Sequence, residues 1–193
     1  MLNLAYWHFF KLQLTALMLA SFIVVLIGYF KHNEPNISYE LTPKTIKYHH
    51  RRGQWQINWA DVTRIGEVKA DIQGENVLLP YIGIKLSSLE ALAKSVAPRL
   101  ANKLIHEQQE LIKLAVKNSQ LTMAQGTIHF DGFNIKDKLL TGPVGAWLQQ
   151  STNLDIAYGY HVYLPEDSLD RDKEQFLSLL KQCHVYSSQY TTT

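Results

Sequence analysis

The chain has 193 residues and nearly balanced charge, 19 basic against 17 acidic side chains, for a formal net charge of +2. That length fits one ordinary domain with a tail, and the balance lacks the basic excess of a dedicated nucleic-acid binder. One cysteine excludes an internal disulfide framework and a cysteine-based zinc knuckle, while 46% hydrophobic residues exclude wholesale disorder.

The first element in the chain is apolar. Leu12 to Phe30 carries no charge and is bounded by Lys11 and Lys31. As a helix it measures about 28 Å, close to the hydrocarbon thickness of a bilayer. Tyr6, Trp7, Phe9 and Phe10 precede the run, and Tyr29 and Phe30 close it, as interfacial aromatic belts do. No small-residue cleavage site follows, so the segment reads as a retained anchor over residues 1–31 rather than a signal peptide. Lys31, Lys44, Lys47, Arg51 and Arg52 outnumber the lone Lys11 before the span. The expected location is the inner membrane, single-pass; the positive-inside rule places the C-terminal domain in the cytoplasm, the alternative being a short N-terminal tail kept inside with the domain exported.

Residues 32–36 read as a linker broken by Pro35. Alternation of period two follows at Ile37–Leu41, Thr45–His49 and Gln54–Trp59, then a fourth strand at Val62–Lys69 and a fifth at Val77–Leu86 beyond a loop at 71–76. These five predict an antiparallel meander. Ser88 opens a helical stretch that Pro98 interrupts, and Arg99–Lys117 reads as one long surface helix with Leu100, Leu104, Leu111 and Ala115 on its apolar stripe. Asp131-Gly132 between Thr127–Phe130 and Phe133–Ile135 predicts a type I′ hairpin. Gly142-Pro143 starts a short helix through Trp147 and Leu148, and Ile156, Tyr158, Tyr160, Val162 and Leu164 alternate as a strand. Asp170 is placed to cap a final helix bearing Phe176, Leu177, Leu179 and Leu180, ending near Tyr186 in a polar tail over 187–193. The fold class is α+β.

Several stretches carry a resemblance: Leu41-Thr42-Pro43-Lys44-Thr45-Ile46, Gly53 to Ile65 with Ile57-Asn58-Trp59-Ala60-Asp61-Val62 at its centre, Ile82-Gly83-Ile84-Lys85-Leu86, and Gly159 to Leu164 followed by Leu169-Asp170-Arg171. Together they resemble bacterial membrane-anchored pleckstrin-homology-like (PH-like) domains of gammaproteobacterial families of unknown function. The resemblance implies a PH-like antiparallel sheet or partial barrel over 37–186, a C-terminal capping helix and a binding role. Residues 88–148 do not match and read as an insertion of helices and a hairpin. It brings no catalytic residue and no cofactor.

The candidate contact residues are Lys47, His49, His50, Arg51 and Arg52, at a predicted hairpin. Arginine binds phosphate bidentately, and each basic residue near an anionic leaflet contributes about 1 kcal/mol; the competing reading is a solvated turn. Residues 31–69 carry a net +3 and residues 118–193 a net −3, which would orient the domain at an anionic surface or be ordinary variation. His106 and Glu110 sit four apart, but the second histidine of a zinc helix is missing, so no metal is expected. Cys183 and His184 are neighbours on a helix and point about 100° apart, against a nucleophile–base pair. His129, His161, Trp55, Trp59 and Trp147 read as structural or rim residues. The expected function is that of a membrane-anchored adaptor contacting a protein partner in the envelope. The first alternative is anionic-lipid recognition by 49–52; the second, from another class, is a metal-dependent or hydrolytic enzyme. No nucleic-acid partner is expected.

Overall fold

A computed structural model describes the backbone of residues 2–32, 38–72, 74–136 and 138–190, with the side chains of 2–10, 12, 30–32 and 190 outside the description. The linker residues 33–36, the aromatics Tyr6, Trp7, Phe9, Phe10 and Phe30, and the tail residues 191–193 therefore lie outside what is described. Residues 1–36 and 37–193 form two compact units.

The first unit is one helix, α1 (Leu2–His32). Its described side chains are exposed, Leu17, Met18, Leu19, Phe22, Val24, Val25 and Ile27 among them, so the apolar surface runs around the helix rather than along one stripe. Thr15 and Ser21 donate their hydroxyls to the carbonyls of Lys11 (3.0 Å) and Leu17 (2.9 Å). No helix among the described residues is long and apolar enough to cross a membrane.

In the second unit, β1 (Tyr39–Leu41), β2 (Thr45–His50) and β3 (Gly53–Asn58) form an antiparallel sheet in sequence order. Alternation has the expected cause: Ile46, Tyr48, Trp55 and Ile57 face the core, paired Ile46 to Ile57 and Tyr48 to Trp55. The meander does not continue. A 3₁₀ turn at Trp59–Asp61 ends it, and the Trp59 indole donates to the Thr42 carbonyl at 2.7 Å. β4 (Val62–Ile72) and β5 (Glu75–Leu86) belong to a second sheet, ordered β4-β5-β8 with β8 (Val162–Pro165). Neither sheet closes into a barrel, which corrects the partial barrel expected from sequence. The loop expected at 71–76 is instead the end of a long hairpin, paired out to Ile72 and Glu75. β8 pairs only Tyr81–Ile84, so residues 75–80 of β5 have no strand on that side among the described residues, and Pro80 lies where the β4–β5 register shifts.

The helical section differs most from expectation. α2 (Glu90–Ser95) is followed by α3 (Pro98–Glu107) and α4 (Gln109–Lys117), so the long helix is broken at Gln108. Gln108 is 3% exposed, and its Oε1 accepts from the buried Trp147 indole at 3.2 Å. α5 (Met123–Gly126) is a short turn with a Thr122–Gln125 capping box. The Asp131-Gly132 hairpin does not form; Phe133–Ile135 (β6) pairs instead with Lys138–Leu140 (β7), turning at Lys136 with φ 51°. The helix opened by Gly142-Pro143 runs on to Tyr158 as α6, where Gly159 at φ 80° caps it in the left-handed region. Ile156 and Tyr158 are therefore helical, and the expected strand shrinks to β8. α7 (Lys173–Tyr190) begins later than expected, because Asp170 binds Arg171 and Asp172 receives the Phe176 amide; it also continues past Tyr186.

Two packed clusters result. The larger joins Ile46, Trp55, Ile57, Ile82 and Ile84 of the sheets and Trp59 of the 3₁₀ turn to Leu92, Leu100 and Ile105, Trp147 of α6, and Phe176 and Leu180 of α7. Residues 88–148 thus supply part of the main core. The smaller gathers Val68, Ala70, Leu111, Ile112 and Leu154 around Tyr158, Tyr160 and Tyr163. There the Tyr158 hydroxyl donates to the Leu111 carbonyl at 2.9 Å, and Tyr163 Oη lies 2.9 and 2.8 Å from the Leu154 and Tyr160 carbonyls. Tyr160 lies across the paired Gly66 and Gly83, where a Cβ on Gly83 would fall inside its ring. The Arg64 guanidinium covers Tyr160 4.6 Å from the ring centre while donating to the Gly159 carbonyl at 2.7 Å.

Candidate functional site

Because side chains alternate along β2, the five predicted contact residues separate. Lys47 and His49 share one face, where Glu40 of β1 meets both: His49 Nε2 lies 2.9 Å from Glu40 Oε2 and Lys47 Nζ 3.8 Å from Oε1. The His49 hydrogen bond, then the Lys47 charge, hold the Glu40 carboxyl below its usual range. His50 shares the other face with Tyr48, ring centres 6.1 Å apart, and its Nδ1 accepts the Arg52 amide at 3.0 Å. Burial, reinforced by Lys103, lowers its pKa. Arg51 and Arg52 alone are left exposed at the turn.

The Tyr48 face leads to a feature the sequence did not signal. Tyr39 packs on Tyr48 (5.0 Å) and Phe176 (5.3 Å), and its hydroxyl meets Ser168 Oγ at 2.8 Å. Nearby, the α3–α4 break and the end of β8 enclose a cleft of about 160 Å³ lined by Tyr81, Leu104, Glu107, Gln108, Tyr163, Pro165 and Asp167. Glu107 is ion-paired with Lys103. Asp167 makes no ion pair among the described residues, and neither the Gln108 amide nitrogen nor the Tyr81 hydroxyl has a protein partner there. The phenols of Tyr39, Tyr48 and Tyr81 are all raised, chiefly by burial, with the negative charges of Glu107 and Asp167 adding to each. Two acidic groups at the rim and two tyrosines with an amide inside make a small receptacle of negative potential.

The other chemistry-bearing residues lie apart. His161 accepts the Leu86 amide at Nδ1 (3.2 Å) and turns Nε2 toward Asp155 (3.6 Å), which Lys85 Nζ also meets at 3.0 Å. Burial lowers the His161 pKa, with Asp155 opposing. Cys183 lines an apolar groove with Leu41, Pro43, Leu179 and Tyr186; burial raises its thiol pKa, and His184 turns instead to the Val62 carbonyl at 3.0 Å. His106 is exposed on α3, and no group of three or more metal-ligating side chains occurs among the described residues.

An α+β domain with this topology and a small polar cleft is matched over residues 39–185 by a family model described as a protein of unknown function, DUF2982. The chain belongs to that family. No curated protein and no solved structure is significantly similar to it.

Proposed function

We propose that this protein is a single-pass, membrane-tethered binding module of the inner membrane, whose α+β domain engages a protein partner on the cytoplasmic side. The observation that carries the tether is the exposed apolar surface on all sides of α1 over its described stretch. A helix without a polar face requires an apolar environment, and the in-helix bonds of Thr15 and Ser21 suit a lipid one. The uncharged run Leu12–Phe30 has the length of a span, and Lys31, Lys44, Lys47, Arg51 and Arg52 favour a cytoplasmic domain. The PH-like reading is supported by the order of antiparallel strands followed by an apolar C-terminal helix, although the strands divide into two three-stranded sheets.

A protein partner is favoured over recognition of an anionic headgroup by the 47–52 hairpin. Glu40 engages Lys47 and His49, and two exposed guanidiniums are fewer than the four to eight basic residues of typical lipid-binding clusters. Alkaline carbonate extraction of native membranes tests the tether: the full chain stays with the membrane, and a Leu19→Arg/Val24→Arg variant is released. Release of the unsubstituted chain overturns it. Crosslinked capture from the same membranes tests the binding role. A stoichiometric protein recovered with both the full chain and Arg51→Ala/Arg52→Ala supports it, and liposome binding abolished by that double change with no protein recovered replaces it with lipid recognition.

A further inference from the structure

We infer that the cleft between the α3–α4 break and the end of β8 receives an arginine side chain of the protein partner; this rests on the binding role proposed above. Its size decides first. About 160 Å³ is below the roughly 300–1,000 Å³ of pockets for drug-sized ligands, and matches a single inserted side chain. Charge decides next. Asp167 is exposed at the cleft and makes no ion pair among the described residues, and Glu107, which also lines it, is paired with Lys103 through Oε1. An incoming guanidinium answers both, with the charge-assisted bonds that bind carboxylates most strongly.

The floor favours a planar cation over a point charge. Tyr81 and Tyr163 line the cleft with their rings edge to face, 6.4 Å between centres and 82° between planes. Guanidinium is weakly hydrated and stacks on aromatic faces, whereas an ammonium holds its water. Gln108 supplies a second, independent sign of a ligand. It is only 3% exposed, its carbonyl oxygen is committed to Trp147, and its amide nitrogen has no acceptor among the described residues. Gln108 lines the cleft, so this nitrogen is available there to donate to a peptide carbonyl flanking the arginine. The chain pays for this placement with a broken helix, a local departure of the sort that accompanies functional sites.

The test uses the full chain in detergent micelles and a fluorescent twelve-residue Gly/Ser peptide carrying one central arginine, beside the same peptide with citrulline, which keeps the shape and loses the charge. The arginine peptide binds, and citrulline weakens binding about tenfold or more, as loss of a charge-assisted pair implies. Asp167→Asn, at an exposed position, produces a similar loss with an unchanged melting temperature, and Arg51→Ala/Arg52→Ala produces none. Equal binding of the two peptides, or of wild type and Asp167→Asn, overturns the inference. A partner captured from membranes as well by Asp167→Asn as by wild type also overturns it, while leaving the tethered binding role standing. Arginine-selective binding by a chain that carbonate extracts does the reverse.

Discussion

The two packed clusters of the domain are held by different means. The larger is built from volume: Trp55, Trp147 and Phe176 are at most 2% exposed, and branched aliphatics pack with them. The smaller is built around three tyrosines: the Tyr160 ring fits only because Gly66 and Gly83 leave room, and the hydroxyls of the other two are tied to carbonyls of α4, α6 and the α6–β8 link. Burial raises the phenols of Tyr158, up to about 12, and of Tyr163, so both stay neutral donors at any physiological pH. The lesson is that one cluster fails by losing atoms and the other by gaining them or by losing a hydrogen bond.

Trp147→Ala breaks the first cluster hardest. It leaves a cavity and strands the Gln108 oxygen, for a loss of about 3–5 kcal/mol in urea unfolding of the full chain in micelles. Gly83→Ala should destabilise by about 1–3 kcal/mol or more, because the methyl meets the Tyr160 ring. The double change Gly83→Ala/Tyr160→Ala should cost less than the sum of its singles, and strict additivity would show that ring and glycine do not compete for space. Tyr163→Phe keeps the ring and removes only the hydroxyl that reaches Leu154 and Tyr160, a loss of about 1–3 kcal/mol.

Acid sharpens the contrast between buried imidazoles and surface carboxylates. His50 and His161 are held below their ordinary value by burial. The unfolded chain therefore takes up their protons first, and stability is whole above about pH 6.5 and declines as the pH falls toward the folded-state values. The lowered carboxyls of Glu40, Glu90 and Asp170 act only below about pH 4.5. Urea midpoints between pH 7.5 and 5.5 thus isolate the histidines, and His161→Gln should flatten the slope. The smallest effect belongs to Arg51→Ala/Arg52→Ala, whose exposed side chains make no ion pair among the described residues; its midpoint should move by no more than about 0.5 kcal/mol.

Legibility from sequence follows the same division. β2 and β3 were readable because each has one face in the larger core, so period two appears directly in Ile46, Tyr48, Trp55 and Ile57. From its apolar residues α6 looks shorter than it is, because its buried face includes Gln150, Ser151 and Asn153, whose partners are the Ile105, His161 and Gln125 carbonyls, invisible to an apolar stripe. The alternation of Ile156, Tyr158 and Tyr160 mimicked a strand, whereas Gly159 in the left-handed region is a helix stop. The cleft was hidden for a related reason. Its floor depends on Gln108 meeting Trp147, 39 residues away, a contact no local pattern encodes. The basic hairpin was located correctly, but the alternation that revealed β2 also divides Lys47 and His49 from His50, and Glu40 lies on a strand whose register only the fold supplies.

The unshared half of β5 has a consequence for how the molecule behaves in company. A row of backbone donors and acceptors beside exposed Val77 and Leu78 is a template on which a second chain can add a strand. Proline has no amide hydrogen, so Pro80 deprives such a growing sheet of one rung, and the shifted register beside it spoils the flat edge that stacking needs. With Glu75 and Asn76 at the tip, this proline is a guard against self-association, and replacing it would first be felt as aggregation during expression rather than as a lower melting point.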